Sequence, residues 1–178
     1  MTESIEISAE LKKWGELAGY KLAHGTNPND GVAIFSASLG ETRILIRRNN
    51  TGWFVITDSD RMGPEQFILA TPSMATVERY FFGKFGLAIR SLRNLPRVRV
   101  PVSAEKLSPG FRLETRIFDG VERWALIALD DSTVAVGSTD QVTGTAELVR
   151  LSLYLSSTID EIIASVLDPD GKPLFQPR

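Results

Sequence analysis

The chain contains no cysteine. That excludes disulfides and thiol chemistry and permits a reducing compartment. It contains a single histidine, His24, so neither a multi-histidine metal site nor a Ser–His–Asp triad can be assembled. No apolar run approaches the roughly 18 residues a membrane span needs. The stretch Met1 to Trp14 lacks the apolar core of a secretory signal. The expectation is therefore a cytoplasmic protein with no membrane partner. Prolines number only 9, and 43% hydrophobic residues stand against 24% charged ones, a balance that opposes disorder. At 178 residues the chain can build one substantial core or two small fused ones.

The net charge is small, −2, but unevenly spread. From Arg43 to Arg99 there are ten basic and four acidic residues; from Glu105 to Asp170 there are five basic and twelve acidic. Such segments either steer a charged partner or neutralise each other across a shared surface.

Taken in order, Ser8 is placed to cap a first helix over 9–18, with Leu11, Trp14, Leu17 and Ala18 as its apolar stripe and Gly19 ending it. A short strand over 20–23 follows, then a turn from His24 to Gly31. Strands are predicted over 32–35 and 43–47, joined through Leu39-Gly40, with a tight reversal at Asn49, Asn50 and Gly52. Trp53 to Ile56 reads as a central strand covered on both faces. Thr57 to Arg61 breaks into polar turn sequence, and 67–70 returns as a strand. Thr71 and Pro72 open a long helix. Its stripe is Met74, Val77, Phe81, Phe85, Ala88 and Leu92, which makes Trp53 and Phe81 core anchors. Gly83 and Gly86 within it mark close approach of another element or a break. The stretch from Pro96 to Pro101 is an extended connector or edge strand, and the boundary between halves falls near 95–103.

Beyond it a pattern recurs. Glu41-Thr42-Arg43-Ile44 returns as Glu114-Thr115-Arg116-Ile117, 73 positions on. Trp53 returns as Trp124, 71 positions on. The helix stripe returns as Leu148, Leu151, Leu155, Ile159, Ile162 and Val166, 74 positions on. The stripe alone is what most packed helices show; the shared order predicts two related strand–strand–helix units with Trp53 superposed on Trp124. The fold class is α+β, an antiparallel sheet with packed helices, within a unit spanning 1–178.

No catalytic set stands out. Asp58 and Asp60 alternate beside Arg61, which lowers rather than raises a carboxyl pKa. That suits binding or structure better than acid–base work. Asp168-Pro169-Asp170-Gly171 opens like a calcium loop but lacks the later ligands. Gly171-Lys172 has no preceding glycine-rich loop. The cationic set Arg90, Arg93, Arg97 and Arg99 is the best phosphate-contacting candidate. The whole chain is acidic, with pI near 5.5, and no aromatic ladder interleaves these arginines, so no nucleic-acid partner is expected. Tyr80, Phe81, Phe82 and Phe85 read as core. No cofactor or metal is expected.

Three stretches carry a family likeness: Gly52-Trp53-Phe54-Val55-Ile56-Thr57, then Ser59-Asp60-Arg61-Met62-Gly63-Pro64-Glu65, then the aromatic helix from Ser73 to Gly86. Together they resemble the immunity proteins of polymorphic toxin systems, and among these the antitoxin family of the tuberculosis necrotizing toxin. The resemblance implies a non-enzymatic inhibitor whose partner is a cognate protein toxin, in that family an NAD glycohydrolase, and which covers the toxin's active site. The alternative is a secretion chaperone-like or scaffold protein holding an extended client segment. Loops on a rigid scaffold concentrate binding residues. The candidate partner-binding residues are therefore Asp58, Asp60 and Arg61 in the polar turn, and Arg47, Arg48 and Asn49 on the preceding hairpin.

Overall fold

The computed structural model describes residues 3–24 and 31–178. The turn expected between His24 and Gly31 lies almost wholly outside the described residues. Among those described, the element order is α1 (Ala9–Leu17), β1 (Lys21–His24), β2 (Val32–Ala37), β3 (Thr42–Arg48), β4 (Phe54–Asp60), β5 (Gln66–Thr71), α2 (Met74–Leu92), β6 (Val98–Arg99), β7 (Phe111–Phe118), β8 (Val121–Ala128), β9 (Thr133–Val136), α3 (Gln141–Leu155), α4 (Ile159–Leu167) and β10 (Gln176–Pro177). Eight strands form one antiparallel sheet in the order β1-β2-β3-β4-β5-β9-β8-β7, and β6 pairs with β10. The α+β expectation holds.

The sheet has two unlike faces. The larger core takes Phe35, Ile44, Ile46, Phe54, Ile56, Leu69 and Leu126 from the strands and buries them against all four helices. On the other face, Ala70, Ala125, Ile127 and Val136 form a small cluster covered by Trp53, Val55, Phe67 and Phe118, with no helix residue among them. In a flat sheet β4 and β7, with β5, β9 and β8 between them, would lie about 19 Å apart. Yet the rings of Trp53, just before β4, and Phe118, at the end of β7, meet at 5.1 Å. The sheet therefore curls toward its helix-free face.

The long helix α2 is the hub. Ser73, not Thr71-Pro72, starts it: its hydroxyl accepts from the Thr76 N–H at 3.3 Å, the usual N-cap bond. Its buried residues run all round rather than along one stripe, because α1, α3, α4 and the sheet surround it. Leu92, at the predicted end of the stripe, is exposed, as is Leu17 on α1. Trp14 of α1 donates its indole N–H to the Phe82 carbonyl at 3.0 Å. Gly83 and Gly86 serve close approach: a Cβ at Gly83 would lie 2.1 Å from the Tyr154 ring of α3, and one at Gly86 2.3 Å from Val166 of α4. Arg90 is buried, and its guanidinium donates to the carbonyls of Pro96, Ser165, Val166, Asp168 and Pro169. It closes the C-terminal end of α4 with a positive charge, the favourable sign there. That removes Arg90 from the cationic set read as phosphate-contacting.

The halves are alike in order and unlike in detail. The run β3-β4-β5-α2 parallels β7-β8-β9-α3, while β1 and β2 have no counterpart among the described residues of the second half. Each run carries a register shift, at Ile56/Thr57 in the first and Leu126/Ile127 in the second. Two residues before the shift stand Phe54 and Trp124, both on the helix-covered face. Trp53 is one residue out of step and lies on the opposite face, so the expected superposition of Trp53 on Trp124 fails. A one-residue offset in a strand always reverses the face. The recurring tetrapeptide fails likewise, since Ile44 is buried and Ile117 is 70% exposed. The second stripe, read as one helix, is divided between α3 and α4. Thr158 and Glu161 form a reciprocal capping box that starts a new helix, satisfying N–H groups that a continuous helix would not leave free.

Candidate functional site

One end of the sheet gathers the sequence-predicted turn. The polar run from Thr57 to Asp60 does not leave β4 but continues it, paired with β3 from Leu45 back to Thr42. Backbone hydrogen bonding, not side-chain polarity, decides the strand's length here. Only Arg61 to Glu65 turns. Asp58 is half-buried, and burial pushes its carboxyl above the usual range, with nearby Lys84 opposing and Asp60 adding to the rise. Burial, then the charges of Asp60 and Asp58, push the Tyr20 hydroxyl up as well. Asp60 and Arg61 are exposed.

The β4–β5 turn places Arg61 and Met62 at φ 50° and 60°, closed by the Gly63 N–H donating to the Asp60 carbonyl at 2.8 Å. The neighbouring β2–β3 loop runs from Ser38 to Glu41, closed by the Glu41 N–H donating to the Ser38 carbonyl at 3.1 Å, with Leu39 at φ 57° and Gly40 at φ 90° as its central pair. Both turns hold positive φ at each central position, the geometry that favours Asn-Gly or Asp-Gly; Gly40 fits it, and Leu39, Arg61 and Met62 do not. The two tips adjoin, since the Arg61 N–H donates to the Glu41 carbonyl at 2.7 Å. Leu39 is fully exposed and Met62 is 78% exposed. A non-glycine residue in this conformation costs roughly 1–2 kcal/mol. The β7–β8 tip, by contrast, uses the expected pair Asp119-Gly120.

Arg47, Arg48 and Asn49 sit at the far end of β3. With seven residues in that strand, the two groups are about 20 Å apart. Arg47 faces the helix-free side, where its guanidinium grips both oxygens of Glu65 at 2.5 and 2.9 Å. The Thr57 hydroxyl also donates to Glu65, and these bonds hold its carboxyl below the usual range. Arg48 faces the other way, over the Phe54 ring at 4.8 Å and paired with Glu3. Asn49 staples its own turn, its side-chain oxygen accepting from the N–H groups of Thr51 and Trp53. The structure thus brings Asp58, Asp60 and Arg61 together and separates them from Arg47, Arg48 and Asn49.

Sequence reading placed Leu39 and Met62 in turns but did not count them among the candidate contacts. At Met62 a signal was present: the central pair Arg61-Met62 lacks the Asn or Gly such turns prefer; Leu39, beside Gly40, gave none. Also missed was the helix-free face, where Arg123 lies 3.6 Å over the Phe67 ring and Arg43 donates to Ser59. Strand alternation assigns those faces only once pairing is known. His24 ends β1 in an exposed position. Asp168 accepts the N–H groups of Asp170 and Lys172 and so forms a turn. Among the described residues, no group of three metal-ligating side chains comes together, and no helix is long and apolar enough to cross a membrane.

Comparison with known proteins extends over the whole fold. The immunity factor for TNT of Mycobacterium tuberculosis is 39% identical over 175 residues, covering 98% of this chain and 96% of that protein. The immunity factor for TNT homolog of Mycobacterium bovis matches to the same extent. The solved structure of Rv3902c from M. tuberculosis superposes with a TM-score of 0.90 at 38% identity, covering 99% of this chain and 98% of that one. The model of the family described as Immunity protein 61 matches residues 14–174, and the chain belongs to that family.

Proposed function

We propose that this chain is a non-enzymatic immunity factor that binds a cognate protein toxin in the cytoplasm of the producing cell and covers the toxin's active site. The observation that carries the reading is the near-full-length similarity to immunity factors for TNT. By the same relationship the toxin is an NAD glycohydrolase. Inhibition of this kind asks for a rigid, complementary surface rather than reactive groups. The sheet end bearing Asp60 and Arg61 fits that demand: both side chains are exposed, Asp60 ends β4 paired with Thr42, and Arg61 opens a turn tied to the neighbouring hairpin. These two are the first proposed contacts. Arg47 is the next, through the helix-free face.

The test is inhibition by Arg61→Ala and Asp60→Ala, read beside thermal melting. Weakened inhibition with unchanged melting supports the contact. Lowered melting in both variants assigns the turn a structural role. A wild-type protein that neither binds nor inhibits its toxin removes the reading, and tight binding of an extended peptide would put a chaperone-like role in its place.

A further inference from the structure

We infer that Leu39 and Met62, on the paired tips of the β2–β3 and β4–β5 hairpins, are the apolar anchors that enter the toxin's active-site cleft; the inference rests on the immunity reading above. Both side chains stand in solvent, and both occupy a left-handed backbone that glycine or asparagine adopts at less cost. Neither belongs to a buried cluster of this fold. The fold therefore gains nothing from a leucine or a methionine at these positions, while a partner with an apolar slot gains two.

The tips do not act alone or loosely. The Arg61 N–H to Glu41 carbonyl bond fixes one tip against the other, and β3 and β4 behind them pair from Thr42↔Asp60 to Arg48↔Phe54. Large side chains carried on such a base lose little freedom on binding, which is what makes an anchor effective. Glu41, Asp60 and Arg61 stand exposed around the two apolar tips, and none of the three forms an ion pair among the described residues. Acidic residues are in the majority there. The complementary partner surface is an apolar slot with a mainly cationic rim.

The experiment measures binding of the purified, full-length chain to the toxin domain encoded beside its gene, by calorimetry, with melting followed in parallel. Leu39→Asn and Met62→Asn are the test variants, because asparagine tolerates the left-handed conformation. Leu129→Asn is the control, since Leu129 is equally solvent-exposed but belongs to the β8–β9 connection. The expected result is a dissociation constant raised about tenfold or more for each tip variant, with melting unchanged or higher and the control unaffected. If wild type binds and both tip variants bind within twofold of it, the anchors are refuted while the immunity reading stands. A control as weak as the tip variants also refutes them. If wild type does not bind, the immunity reading falls and this inference with it.

Discussion

The helix-packed side of the molecule and the hairpin-tip end both break local rules, but only one of them has a structural reason to. On the packed side, two glycines interrupt a helix, an arginine is buried, and a helical stripe is cut in two. Each has a partner that accounts for it: Tyr154 and Val166 against the glycines, five carbonyls around Arg90, and a capping box at Thr158. At the tips, Leu39 and Met62 take strained backbone and leave their side chains in water. Strain without a structural return is where function is sought.

Stability measurements separate the two regions. The largest effects belong to the packed side. Arg90→Met strands several buried carbonyls at once, each worth about 1–3 kcal/mol when left unpaired. A total loss of roughly 3–5 kcal/mol in urea unfolding is expected. A loss under about 1 kcal/mol would show that water replaces the guanidinium freely. Phe81 has no exposed surface, and Phe81→Ala should cost about 3–5 kcal/mol. Trp53, read from sequence as its equal, is only half-buried over the smaller cluster. Trp53→Ala should therefore cost less, about 1–3 kcal/mol. Equal losses for the two would restore the symmetric reading.

Asp58 gives a smaller effect of opposite sign. Its folded-state carboxyl lies above the unfolded value, chiefly through burial. Such a group costs stability above its folded pKa, and the cost disappears as pH falls below the unfolded value of about 3.9. Asp58→Asn should raise the melting temperature at pH 7, and the gain should shrink on acidification. A melting temperature that falls at pH 7 would mean that the attraction to Lys84 outweighs burial. The smallest stability effects are expected at the tips, where Leu39→Asn and Met62→Asn should leave melting unchanged or raise it.

What was legible in the sequence follows the same division. Ser8 and the 3–4 spacing of Leu11 and Trp14 gave α1, and the aromatic run gave α2, because caps and helical periodicity are local signals. The end of β4 was not legible, since Thr57 to Asp60 are held by pairing with β3 rather than by their own propensities. The break between α3 and α4 was hidden because Leu155 and Ile159 keep the spacing across it. Trp53 and Trp124 recur at nearly constant distance, yet one residue of register sends them to opposite faces. Of the candidate contacts, Asp60 and Arg61 were visible as a polar turn. Leu39 and Met62 were not, because an exposed apolar residue differs from a core one only after the backbone is known. The separation of Arg47 from Arg61 likewise depends on strand direction.

The most direct test of the immunity account is a titration of the adjacent-gene toxin's NAD-hydrolysing activity with the wild-type chain. An immunity factor brings that activity to background near one equivalent. Activity unchanged at severalfold excess of the chain would mean that it is not one.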